Sequence, residues 1–130
     1  MDFETVIKTR TAVREFKKDK VDPGKIEKIL NAGRLAPTAK NLQPQKVYVI
    51  KSESALSKID EVTPCRNGAP LCLLVCADKT IAWENDGYSS YETDAAIVAL
   101  HMLLEAVNLG LGTLWVRYFD VPEVIKKFNL

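Results

Sequence analysis

The run from about Glu92 to Leu109 constrains this chain more than any other segment. It reads as the longest helix, yet Ala95, Ile97, Val98, Leu100, Leu103, Leu104 and Val107 cover most of its circumference instead of one stripe. A helix apolar nearly all round must be buried on nearly all sides. A chain of 130 residues is long enough for one domain with a core and too short for two ordinary ones. A single domain over residues 1–130 is therefore expected, with part of this helix packed into an interface between two copies. Asn108 and Gly110 end it.

The remaining elements follow from local signals. Asp2 is a cap for a first helix bearing Phe3, Val6 and Ile7, ending near Arg10 and Thr11, after which Val13 to Phe16 reads as extended. Asp22-Pro23 opens a second helix carrying Ile26, Ile29, Leu30 and Leu35. Ser52 caps a short helix through Leu56 and Ile59, and Asp120 with Glu123 makes a capping-box-like start for a last helix, Val121 to Phe128. Three strands are expected at Val47–Ile50, Leu71–Cys76 and Thr113–Val116; all are continuously apolar, so each should be covered on both faces. Asn85 to Ser90 is a polar loop with Asp86-Gly87 as its turn. The fold class is α+β, an α/β layered arrangement of a central sheet flanked by helices.

Composition removes several function classes. Eighteen basic and 17 acidic side chains are scattered to a net charge of +1, leaving no basic stripe to neutralise a nucleic-acid backbone. The apolar run Ala95–Leu104 contains His101 and falls short of a membrane span, and Met1 to Glu4 lacks a signal core. No nucleic acid, no membrane and a cytoplasmic setting are expected. Three cysteines, an odd number, do not make a disulfide framework. Cys72 and Cys76 read as small core side chains. Cys65, beside Arg66, is the one cysteine with a reason for a lowered pKa.

The polar stretch Ala36-Pro37-Thr38-Ala39-Lys40-Asn41-Leu42-Gln43-Pro44 is held as a loop by its two prolines. Rigid loops of this kind present hydrogen-bonding groups to ligands. Three blocks together resemble the FMN-dependent nitroreductase family: Arg10-Thr11-Ala12-Val13-Arg14-Glu15-Phe16, the Ala36–Pro44 loop, and Asp94 through His101 to Gly110-Leu111-Gly112-Thr113-Leu114-Trp115. The resemblance implies a homodimer with FMN at the subunit interface. It also implies hydride transfer from NADH or NADPH to flavin N5, and then to a small-molecule acceptor such as a nitroaromatic or quinone, by a ping-pong route.

Carried onto this sequence, the resemblance assigns Arg10, Thr11, Ala12 and Arg14 to the phosphate, ribityl chain and pyrimidine edge. A guanidinium suits that work because it binds phosphate oxygens bidentately and stays charged. Pro37, Thr38, Ala39 and Asn41 would line the isoalloxazine, with Trp115, Val116 and Arg117 on its other side. No catalytic residue is assigned: the flavin carries the redox chemistry. His101 reads as a core or interface side chain, and Glu92 and Asp94 as structural groups favoured by a helix N-terminus.

Departures from the family pattern keep an alternative open, a flavin-binding or partner-binding protein with little turnover. Ala12 stands where the family has serine; Arg117 and Tyr118 stand where it has small residues. Tyr118 is expected to narrow the pocket or stack near the ring. The family's C-terminal segment, with its Gly-Tyr-Pro stretch and basic residues, is not in this chain, and Leu130 would end a helix with an unfavourable carboxylate. The fold is thus expected to be incomplete at its C-terminus.

Overall fold

The computed structural model describes residues 1–130. In chain order the elements are α1 (Phe3–Thr9), α2 (Pro23–Arg34), a 3-10 turn (Ala39–Asn41), β1 (Gln45–Ile50), α3 (Glu53–Val62), β2 (Cys72–Ala77), β3 (Glu84–Asn85), β4 (Tyr88–Ser89), α4 (Tyr91–Asn108) and α5 (Val121–Lys127). Three helix starts are capped as their sequences dictate. Asp2 accepts from the Thr5 N–H, Ser52 from Ala55 and Asp120 from Glu123. Asp22 precedes the N1 proline of α2 without a side-chain cap bond.

The molecule is an α+β layered fold built on one antiparallel pair, with Gln45 opposite Ala77 through Ile50 opposite Cys72. Side chains alternate across a strand. Leu73 and Val75 therefore join Val47 against Ile29, Val98 and Met102 on the α2–α4 side. Cys72 and Leu74 turn the other way, toward Ile50, Leu56, Ile59 and Phe128, beneath α3 and the end of α5. Residues of β2 are covered on both faces, as its apolar run dictates. The same expectation fails for β1, whose Lys46, Tyr48 and Val49 are exposed. No further strand or helix covers that surface within the chain.

Two other readings change. Thr113–Val116 is not a strand: only Thr113 bridges Ala12, in parallel sense, and the Val13 N–H donates to the Thr113 carbonyl at 2.9 Å. A short apolar run cannot by itself distinguish a ladder strand from an extended segment. Here no neighbouring strand continues the pairing, and Val13–Phe16 likewise remains irregular. The Asn85–Ser90 loop belongs to the small β3–β4 hairpin, turned by Asp86 and Gly87 at positive φ.

Helix α4 is the spine. Asp94, Val98, Met102 and Ala106 repeat every four residues as its buried stripe. Burying a side chain of the Val or Met class contributes about 1.5–3 kcal/mol. Gly33 of α2 lets the two helices meet: a Cβ there would lie 2.8 Å from both Cγ and Sδ of Met102. The chain's own elements do not envelop α4, however. Leu100 is 42% exposed, and Ile97, Leu103 and Leu104 are only partly buried.

Candidate functional site

The end of α4 builds the first half of the site. Gly110, at φ +81°, donates to the Val107 carbonyl, and the Leu111 N–H reaches back to Ala106, both at 2.9 Å. This left-handed stop satisfies the last carbonyls of the helix and reverses the chain. Gly112 then passes close to Val13, where a Cβ would meet Cγ2 at 3.1 Å. The result is a cleft of about 260 Å³ between the residue 10–14 segment and the residue 113–115 segment. Arg10, Ala12 and Arg14 form one wall, Thr113, Leu114 and Trp115 the other, with Leu100 and Leu103 of α4 completing the lining.

Its electrostatics are simple. Among the five arginines only Arg66 donates to an acceptor in the chain, so Arg10 and Arg14 offer two unpaired guanidinium groups. The wall opposite contains the hydroxyl oxygen of Thr113, buried with no hydrogen-bond partner. Cations above an apolar lining suit a flat ring that carries an anionic tail. The volume lies below the roughly 300–1,000 Å³ usual for small-molecule pockets, so one chain encloses only part of such a ligand.

A larger cleft of about 560 Å³, lined in part by Asp60, Glu61, Tyr118 and Asp120, lacks that chemistry. Asp60 is held by Arg66, Glu61 by Lys127, and Asp120 caps α5. Its acidic rim disfavours an anionic ligand.

The Ala36–Pro44 loop is the second half. It is tightly folded, with Lys40, Asn41 and Gln43 all in the left-handed region at φ 53°, 55° and 50°. Each such non-glycine conformation costs about 1–2 kcal/mol and persists only where surrounding bonds impose it. Those bonds are present. The Asn41 N–H donates to the Thr38 carbonyl, Leu42 to Ala39, and Gln43 to the Thr38 hydroxyl. Outside the loop, Asp78 N–H binds the Pro44 carbonyl at 2.8 Å. The Ala39 N–H is taken by Asp94 Oδ1 at 3.0 Å. The backbone N–H groups of Thr38 and Lys40 have no partner in the chain.

The structure brings some of the sequence-named residues together and separates others. Arg10, Ala12, Arg14 and Trp115 share the cleft; Thr11 is exposed beside it, and Val116 and Arg117 follow Trp115 outside its lining. Pro37, Thr38, Ala39 and Asn41 lie elsewhere. Their anchor, Asp94, precedes Leu100 and Leu103 by six and nine residues. Those intervals are about 9–14 Å along a helix and about 120° and 180° around it. Loop and cleft therefore sit on different faces of α4. Asn41 already accepts the Gln43 Nε2–H through Oδ1, while its Nδ2 donates to nothing in the chain.

Several other expectations shift. Tyr118 lines the acidic cleft instead of the arginine-walled one, because its carbonyl is tied to the Thr63 hydroxyl at 2.6 Å. Arg66 is committed to Asp60 and the Ala69 carbonyl, which removes the argument for Cys65. Cys72 and Cys76 have thiols raised above the usual range by burial. Half-buried His101 makes no side-chain hydrogen bond within the chain. Along α4 Leu100 and Leu103 look like any other apolar positions, so the sequence carries no signal that they line the cleft. In the sequence Asp94 is a helix-start carboxylate that opens the third block, and a bond to a residue 55 positions away leaves no mark in local sequence.

The Nitroreductase family model matches residues 7–67 and 64–130, together nearly the whole chain. The chain belongs to the nitroreductase family. A solved nitroreductase family protein from Clostridium difficile 630 is 37% identical, with a TM-score of 0.97 over 100% of this chain and 76% of that one. An FMN-dependent nitroreductase from Clostridium difficile R20291 is 28% identical, with a TM-score of 0.79 over 98% of this chain and 78% of its own. The curated "Putative NADH dehydrogenase/NAD(P)H nitroreductase" of Methanothermobacter thermautotrophicus is 30% identical over 146 aligned positions, covering 100% of this chain and 75% of the relative. This nitroreductase-family chain thus spans about three quarters of each of these three.

Proposed function

We propose that this chain is an FMN-dependent oxidoreductase that works as a homodimer, passing hydride from NADH or NADPH to a nitroaromatic, quinone or similar acceptor. The observation that carries the reading is the cleft of Arg10 and Arg14, two unpaired cations over an apolar lining. Arg10 and Arg14 would hold the phosphate, with Thr11 and Ala12 along the ribityl chain. Trp115, Val116 and Arg117 would flank the ring from one side. Pro37, Thr38, Ala39 and Asn41 would reach it from a second copy, because in their own chain they stand on another face of α4 from the cleft. When bound, FMN supplies the hydride chemistry; the protein's residues bind it, orient it and exclude water around it. Three free cysteines accord with a reducing, cytoplasmic setting where NADH and NADPH are at hand.

The test is direct. The chain is purified, its visible spectrum recorded, FMN titrated by fluorescence, and NADH and NADPH oxidation followed with a nitroaromatic and a quinone. Yellow protein, saturable FMN binding and acceptor-dependent turnover are expected. Failure to bind FMN at micromolar concentration would sink the reading. A second reading, a flavin-binding protein with little turnover, draws on Ala12, which provides no hydroxyl for phosphate, and on Arg117. Tight FMN binding without NAD(P)H oxidation would select it.

A further inference from the structure

We infer that Asp94 is a positioning residue for the flavin-facing loop, acting through the Ala39 amide; this deepens the reading above and rests on it. Asp94 is 1% exposed at the start of α4. No cation pairs with it in the chain. A buried carboxylate in that state needs donors to satisfy it. It has two side-chain bonds: Oδ1 accepts from the Ala39 N–H at 3.0 Å and Oδ2 from the Ser90 hydroxyl at 2.8 Å. Ser90 is itself buried and is tied to the β3–β4 hairpin, its N–H donating to the Trp83 carbonyl at 2.9 Å. The carboxylate is thus oriented from one side and grips the loop on the other.

That grip falls where the loop most needs it. Ala39 directly precedes Lys40 and Asn41, two of the three left-handed residues. A charge-assisted bond to its N–H is stronger than the neutral contacts that hold the rest of the loop. The geometry has a selective consequence as well. With Ala39 turned inward to Asp94, and Asn41, Leu42 and Gln43 bonded within the loop, the N–H groups of Thr38 and Lys40 are left as the loop's free backbone donors. Asp94 thereby decides which amides a bound flavin can meet, without touching the flavin itself. Asparagine at this position would keep an acceptor for Ala39 but lose the charge. Alanine would remove both.

The experiment compares the wild-type chain with Asp94→Asn, Asp94→Ala, Ala39→Pro and the Asp94→Ala/Ala39→Pro double variant. Ala39→Pro deletes only the donor: Ala39 opens a helical turn after an extended Thr38, a place that accepts proline. Two readouts are taken, amide hydrogen exchange of flavin-free protein and FMN affinity by fluorescence titration. Asp94→Ala is expected to speed exchange across residues 41–43 and to weaken FMN binding about tenfold or more, the scale of a lost bond to a charged group. Exchange at Val98–Ala106 in α4 should stay protected. Asp94→Asn should recover most of both losses. In the Ala39→Pro background, Asp94→Ala should weaken FMN binding no further.

Equal FMN affinity and loop exchange in wild type and Asp94→Ala would overturn this inference while leaving the flavin reading intact. So would full additivity in the double variant. If Asp94→Ala does not fold, Ala39→Pro decides: a folded Ala39→Pro chain with wild-type FMN affinity overturns the inference, and a tenfold loss supports it. A wild-type chain that shows the expected exchange pattern in its variants but binds no FMN overturns the flavin reading, and with it the functional part of Asp94.

Discussion

Arg10 and Arg14 differ from Arg66 in one respect that decides what each can do: Arg66 is spent within the chain and the other two are not. Arg66 makes a two-pronged contact with Asp60, Nε to Oδ1 and Nη2 to Oδ2 at 2.7 Å each, while Nη1 donates to the Ala69 carbonyl. These bonds hold the Asp60 carboxyl below its ordinary range. A carboxyl with a depressed folded pKa adds stability above its unfolded pKa, and that stability is lost as pH falls through the folded value. Because Asp60 is about half exposed, Arg66→Ala should cost only about 1–2 kcal/mol at pH 7. In urea titrations from pH 7 down to 2, the cost should shrink below pH 4, as Asp60 takes up its proton. A cost independent of pH would show that Asp60 is not the group responsible. Arg10→Ala and Arg14→Ala should behave oppositely. Each should leave the melting temperature within a degree or two and weaken FMN binding about tenfold or more, with salt weakening the wild type more than the variants. An unchanged FMN affinity in both would detach the cleft from the phosphate.

At the scale of elements, the contact between α2 and α4 has the least room to adapt. Both Cγ and Sδ of the buried Met102 stand where a Gly33 side chain would begin, with Val98 Cγ1 at 3.4 Å. Gly33→Ala should therefore destabilise the chain by about 1–3 kcal/mol through overpacking, against the small gain alanine brings in helix propensity. In a Met102→Ala background the same Gly33→Ala change should cost less, and strict additivity of the two changes in chemical denaturation would refute the steric account. Local signals made such elements legible. Asp2, Ser52 and Asp120 announced their helices, and Gly110 announced the stop of α4. Thr113–Val116 has a strand's composition but not its pairing, because a strand is defined by its partner, and the partner offers a single bridge at Ala12. Apolar β1 carries the same ambiguity, since nothing in Lys46–Ile50 says which face another element will cover. The site divided along the same line. Guanidinium groups and prolines are visible as residue types, whereas the Asp94–Ala39 clamp and the Leu100–Leu103 lining exist only once distant segments meet.

The whole molecule poses a problem of coverage. At 100° per residue, Leu100 lies about 180° from the middle of the buried Val98–Met102 stripe, so it marks the centre of the α4 face that the chain leaves open. Leu104 and Ile97 lie about 40° and 60° to one side of it and Leu103 about 60° to the other, and Trp115 stands beside it at 41% exposure. A second copy laid over this face would remove that apolar surface from water and place another chain's Ala36–Pro44 loop within reach of the cleft. In this arrangement FMN binds the dimer and not the monomer. Linkage then requires that FMN strengthen the dimer by the same factor that dimerisation strengthens FMN binding. Sedimentation velocity across a dilution series should show the flavin-free chain passing to monomer at concentrations where added FMN keeps it dimeric, and FMN affinity should fall over the same range. Leu104→Glu, outside the cleft lining, puts a charge into the apolar face; it should shift the monomer–dimer midpoint to higher concentration by about tenfold or more. FMN affinity should drop with it and return as the variant is concentrated. If FMN bound equally well to a chain sedimenting as monomer, the composite site would be wrong, and the loop would have to reach the cleft within one chain by leaving Asp94.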